Sequence, residues 1–178
     1  MTSLQSLGLV IILGLLCAFG APVAAATGDG MVLPPEDLKQ RLIGTWELEE
    51  VSIDNNGVRQ EPFGKRPLGM LMFDGNGRFM VFFSQADIPK FAGARPTGTD
   101  KENKGVVQGS LAYFGTYELA SAGKVIMHIK GSTFPNFNGA DQTRGVRFTQ
   151  RQELVIFNPM PSTGAGFGAS VWKRISDP

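Results

Sequence analysis

One cysteine and one histidine are all that 178 residues contain of the two side chains that most often build metal centres. An ordinary zinc site needs three or four nitrogen or sulfur ligands, so it is excluded, and no cofactor is expected. The cysteine, Cys17, lies in the N-terminal segment, so the remainder of the chain cannot form a disulfide. Charge is balanced, with 17 Lys and Arg against 16 Asp and Glu, and no block of one sign occurs. That argues against a nucleic-acid partner. There is no Asn-x-Ser/Thr sequon, no Gly-rich phosphate loop between a strand and a helix, and no nucleophile elbow.

Long apolar runs are also scarce. The longest is LGLVIILGLLCAF at 7–19, too short to cross a bilayer comfortably. Gly20, Pro22 and the small residues Ala24, Ala25 and Ala26 follow, and residues 1–26 carry no charged side chain. An apolar core, a breaker and an A-x-A site read as a secretory signal peptide over 1–26, although the n-region MTSLQS lacks a cation. Export to a periplasm or the outside is then expected, with no stable membrane span once the leader is cleaved. An uncleaved N-terminal anchor is the alternative. Lipidation at Cys17 is disfavoured by the bulk of Leu16. Residues 27–33 read as a linker, and 34–178 as one domain of a size that supports a single core.

Within that domain PPEDLKQRL at 34–42 reads as a short helix, with prolines at its start, acids in its first turn and one apolar face at Leu38 and Leu42. The period then changes to two. Eight segments read as strands: 43–53, 69–73, 78–83, 110–119, 124–130, 143–149, 153–158 and 169–175. Turn chemistry separates them, DGNG at 74–77 being the strongest hairpin signal. No connection supplies a long crossover helix, so an up-and-down antiparallel barrel of about eight strands is the economical all-β solution, because closure removes exposed edges. Two connections are long. In 84–109, Thr99-Asp100-Lys101-Glu102 has the form of a capping box, which predicts a short helix through about Gln108. Residues 159–168 are rich in Gly and Pro. Either loop can be a lid or a surface excursion.

The helix leading into Gly44-x-Trp46 resembles the lipocalins. Further along, PFGKRPLGMLMF (62–73), DGNGRF (74–79), LAYFGTYEL (111–119) and HIKGSTFPNFNG (128–139) are similar to the bacterial and fungal lipocalin-like domain family, over roughly residues 40 to 175. The resemblance implies a small barrel with an internal cavity, Trp46 closing one end and Arg174 of the last strand packed across it. It implies no common reaction.

The polar residues at interior or rim positions are the site candidates. On the strand at 124–130, Val125, Met127 and Ile129 share one face and Ile126, His128 and Lys130 the other, so an apolar-inside rule sends His128 outward. A ligand-holding barrel also lines its interior with mixed residues, which keeps His128 as a ligand contact or proton shuttle. Pro135 and the glycines of GSTFPNFNG make a bend in which Asn136 offers an amide beside Phe134 and Phe137. Tyr113 and Tyr117 share a face, as do Arg144, Val146 and Phe148. Arg144 on an apolar face either snorkels at the barrel end or binds an anion inside. Phe73, Phe79, Val81, Phe83 and Phe148 are candidate lining residues.

These residues support an exported binding protein for a small hydrophobic or amphipathic molecule, with Tyr113, Tyr117, His128, Phe134, Asn136, Arg144 and Phe83 as its contacts. The alternative is an isomerase, cyclase or hydrolase with His128 as acid/base and Tyr113 or Asn136 stabilising charge, which requires His128 inside the cavity. A third reading is an interaction or structural module whose barrel its own side chains fill, which a pocket smaller than roughly 300 Å³ favours over both others.

Overall fold

The computed structural model describes residues 34–121 and 123–176. The leader and linker fall outside the described residues. Helix α1 (Pro35–Leu42) is followed by β1 (Gly44–Asn55), β2 (Val58–Gln60), β3 (Leu68–Phe73) and β4 (Arg78–Ser84). Helix α2 (Asp100–Gly109) then leads to β5 (Ser110–Ser121), β6 (Lys124–Ser132), β7 (Asp141–Phe148), β8 (Leu154–Asn158) and β9 (Phe167–Ser176). The strands pair antiparallel in the order β2-β1-β3-β4-β5-β6-β7-β8-β9, and β1 also pairs with β9. Eight strands thus close a barrel, with β2 outside it. Every expected strand and both helices are present.

Strand β2 was not foreseen, because Val58, Arg59 and Gln60 are all exposed and carry no alternation. Its cause is local: Asn56 and Gly57 have φ of 54° and 81°, the positive pair that a two-residue hairpin turn requires. The Asp54 carboxylate accepts from the Gly57 amide at 3.0 Å and holds the turn.

Alternation builds the interior. On β4 the inward residues are Phe79, Val81 and Phe83, and on β6 Val125, Met127 and Ile129, all buried. Phe73, Phe79, Tyr113 and Tyr117 pack ring edge against ring face, with centroids 4.9 Å apart for Phe73–Tyr117 and 5.9 Å for Phe79–Tyr113. Most of the barrel is therefore filled by its own side chains. Gly115 is required on β5, because a Cβ there would stand 1.9 Å from the His128 carbonyl oxygen, at a register shift between β5 and β6.

One end is sealed by α1, whose Leu38 and Leu42 are buried. Trp46 is fully buried there and its indole N–H donates to the Leu42 carbonyl at 2.9 Å. The Arg174 guanidinium lies 4.1 Å from the Trp46 ring centroid and donates to the carbonyls of Ile43, at 2.8 Å, and Arg41. Arg174 thus caps orphan carbonyls at the end of α1 while stacking on the tryptophan. Gly44 has φ of 136°, a value that glycine tolerates, where the chain leaves α1 for β1. Phe148 belongs to this same closed end, between Trp46 and the Arg41 guanidinium.

Among the described residues no helix is long and apolar enough to cross a membrane. The outer face of β3, β4 and β5 is apolar over Leu68, Met70, Met72, Met80, Phe82 and Phe114, each at least 43% exposed. Met70 faces Phe82, and Met80 lies between Met72 and Phe114, so the patch is continuous.

Candidate functional site

The end opposite α1 is open. It gathers the end of β1, the end of β4, the start of β5, the end of β8 and the start of β9. A cavity enters the barrel there, lined by Val51, Ile53, Phe83, Leu111, Tyr113, Phe137, Arg144 and Ile156, with Asn158 and Ser170 as further polar groups. The connection from β2 to β3 adds Pro62 and Phe63, and the connection from β8 to β9 adds Pro161, Ser162 and Thr163. The cavity has a volume of about 70 Å³, and all the empty space within its outline, open solvent included, comes to about 550 Å³.

An aromatic wall runs along one side. Phe63 stacks on Phe83 with centroids 5.4 Å apart, Phe83 meets Tyr113 at 6.5 Å, and Tyr113 meets Phe137 edge-on at 5.8 Å. Phe134 stands behind, edge-on to Phe137 at 5.1 Å. The turn Pro135–Phe137 is 3-10 helical, and its first proline suits the helical start. It drives Phe137 inward and leaves Asn136 exposed.

Arg144 decides the electrostatics. It is 2% exposed, so it does not snorkel. Its guanidinium donates to the Gln142 side-chain carbonyl and to the Thr143 backbone carbonyl at 3.3 Å, and Tyr113 lies beside it on the cavity wall. Among the described residues no carboxylate forms an ion pair with it. Burial pushes the Arg144 pKa down, the neighbouring Tyr113 opposing that shift. An arginine remains a cation in this range. Burial pushes the Tyr113 phenol up, Arg144 opposing, so Tyr113 stays neutral and able to donate. Ser170 accepts the Trp172 indole N–H at 2.8 Å, which leaves its own hydroxyl proton for another acceptor.

Several expected contacts lie elsewhere. His128 is on the outer face: its Nδ1 is 2.7 Å from an Asp141 carboxylate oxygen and its Nε2 is 3.7 Å from Glu118. The cause is register, since His128 sits directly opposite Asp141 across β6 and β7. A catalytic His128 inside the barrel is therefore overturned, and with it the isomerase, cyclase or hydrolase that needed it. Tyr117 points inward but is four residues further along β5, about 13 Å from Tyr113. It packs on Phe73 and donates to the Asp74 carbonyl at 2.9 Å, so it belongs to the core, not the cavity. Phe73, Phe79, Val81 and Phe148 likewise fill the core. Asn136 is corrected to an exposed turn residue. Tyr113, Phe83 and Arg144 are brought together at the cavity, and Phe134 supports it from behind.

Among the residues that sequence reasoning missed are Val51, Ile53, Phe63, Leu111, Ile156, Asn158 and Ser170. Ser170 shares the parity of Trp172, which marks it as inward-facing; Phe63 lies in a stretch without alternation and carried no such signal. The long segment 85–109 adds nothing to the cavity wall. It folds on itself around α2: the Glu102 carboxylate accepts from the amides of Ala92 and Thr99, each at 2.7 Å, and Thr99 caps the helix.

A closed eight-stranded antiparallel barrel, with one end plugged by a short helix and Trp46 and the other end open, defines a lipocalin-like β-barrel. The profile of the lipocalin-like domain matches residues 43–175, and the chain belongs to that family. A comparison with curated proteins finds no match.

Proposed function

We propose that the protein is an exported binder of a small amphipathic molecule, taken at the open end of the barrel. The observation that carries this reading is the cavity itself: apolar walls of Val51, Ile53, Phe63, Phe83 and Ile156 around a few convergent polar groups, in a barrel whose family supports ligand binding in general. Size limits the cargo. A cavity of about 70 Å³ falls below the roughly 300 Å³ expected of a pocket that encloses a whole ligand. An apolar cargo buried in the barrel centre is not accommodated. A ligand that places one end inside and leaves the rest in the wider mouth is. Export rests on the leader-like segment 1–26.

Native mass spectrometry on protein from the extracytoplasmic fraction of its own host tests both parts. The expected species lacks the leader and carries a small adduct that denaturation releases. Bare protein that also fails to bind an amphipathic dye removes the binding reading. His128→Gln is expected to leave binding unchanged, since His128 faces solvent on the far side of the wall.

A second reading, an interaction module, is favoured by two observations: the largely filled interior and the continuous apolar patch on β3, β4 and β5. Patches of this kind mark interaction surfaces. Phe82→Glu with Phe114→Glu, at exposed positions, should then abolish association measured by analytical ultracentrifugation without unfolding the chain.

A further inference from the structure

We infer that the ligand is an organic monocarboxylate, bound with its carboxylate inward on Arg144 and Tyr113 and its apolar part toward Phe63 and Phe137. The inference rests on the binding reading above and names the chemistry of that same site.

The starting point is a buried charge without a counter-charge. A guanidinium has five N–H donors. Those of Arg144 meet only neutral oxygens, from Gln142 and Thr143, and its other neighbour, Tyr113, is neutral too. Hydrogen bonds to neutral acceptors satisfy donors but leave the charge uncompensated, and burying an ion in that state costs several kcal/mol. The neighbours on β7, Val146 and Phe148, are apolar and buried, so a methionine or leucine would suit position 144 better for packing alone. A cation retained there, facing a cavity, matches an anion that arrives from outside.

Three features fix the class of anion. Only Arg144 brings a full positive charge to the cavity wall. It balances a monoanion, whereas a phosphate dianion would leave surplus charge between apolar walls. The cavity is small, about 70 Å³, so it suits a group of a few heavy atoms. A carboxylate is of that size, and its planar pair of oxygens matches the guanidinium fork. The remaining donors suit an acceptor-only group: the neutral Tyr113 hydroxyl and the Ser170 hydroxyl, whose oxygen is already occupied by the Trp172 indole. Beyond this head-group site the wall is Phe63, Phe83 and Phe137, which fits an alkyl or aryl tail.

Titration calorimetry at neutral pH with octanoate, 1-octanol and inorganic phosphate tests the inference on the full exported chain. Octanoate is expected to bind at least tenfold more tightly than 1-octanol, and phosphate not to compete. In Arg144→Met the acid preference should vanish, and in Arg144→Lys part of it should remain. Without ligand, Arg144→Met should melt no lower than the parent, because it removes an uncompensated charge; a markedly lower melting temperature would mark Arg144 as a structural prop and overturn its assignment as an anion site. Equal binding of octanoate and 1-octanol by the unsubstituted protein would overturn the carboxylate inference while leaving the binding reading intact, and that comparison needs no variant. Phosphate displacing octanoate would replace the carboxylate by an inorganic anion. Failure of both octanoate and 1-octanol to bind would overturn the inference together with the reading on which it rests.

Discussion

Arg174 and Trp46 show how a few side chains seal a barrel end. The arginine contributes a cation–π contact of about 1 kcal/mol and charged hydrogen bonds to two carbonyls at the end of α1. Arg174→Ala should destabilise the protein by roughly 2–4 kcal/mol, read from urea unfolding, because it also orphans those carbonyls. Arg174→Lys should recover only part, since an ammonium cannot stack and fork at once. Gly115 is a sharper case. Its absent side chain makes room for the His128 carbonyl, and that wall is backbone. Gly115→Ala should cost more than about 2 kcal/mol, or remodel the bulge, as a changed amide spectrum of β5 and β6 would report. Both the Trp46–Arg174 pair and the outward parity of His128 were legible from the sequence. The clash at Gly115 was not, because it depends on how close another strand passes.

At the scale of elements, α2 is governed by one carboxylate. Glu102 accepts from the Thr99 and Ala92 amides and the Thr99 hydroxyl, and these bonds hold its pKa below the usual carboxylate value. A depressed carboxyl contributes stability above its unfolded pKa and loses it as pH falls through the folded value. The cap and the turn at Ala92 should therefore loosen in acid, below about pH 4, and stay closed at neutral pH. Amide chemical shifts of Ala92, Thr99 and Glu102 followed from pH 7 to 3 check this, and Glu102→Gln should weaken the same shifts' response. The capping box was readable because its four residues are consecutive. Strand β2 was not, since an exposed three-residue strand has no burial pattern to betray it.

For the whole molecule, the tyrosines report barrel integrity. The chain has only two, Tyr113 and Tyr117, and both are buried with raised pKa values, burial being the larger cause in each. A raised folded pKa means that their contribution to stability is complete below the unfolded value near 10 and is lost as pH rises through the folded one. Absorbance of phenolate should therefore stay flat through the normal tyrosine range and rise only as the barrel opens in alkali. Non-cooperative ionisation near pH 10 would show that one ring is reached by water in the folded state. Closure belongs to this scale too: β9 pairs with β1, so removing 167–176 would expose two edges at once and should leave no cooperative unfolding transition.

The sequence by itself determined the all-β class, eight of the nine strands, both helices, the capping box and the family, because each is carried by local periodicity or by a short ordered motif. It also determined which residues of a strand share a face, as with Tyr113 and Tyr117 or Arg144, Val146 and Phe148. Only the tertiary structure decided how far along the barrel each inward residue lies. Strands tilt and shift register around a closed barrel, so residues of equal parity on different strands meet or miss by many ångströms. That is why Tyr113 reaches Arg144 while Tyr117 stays with Phe73, why the pocket is small, and why Phe137, not Asn136, enters it.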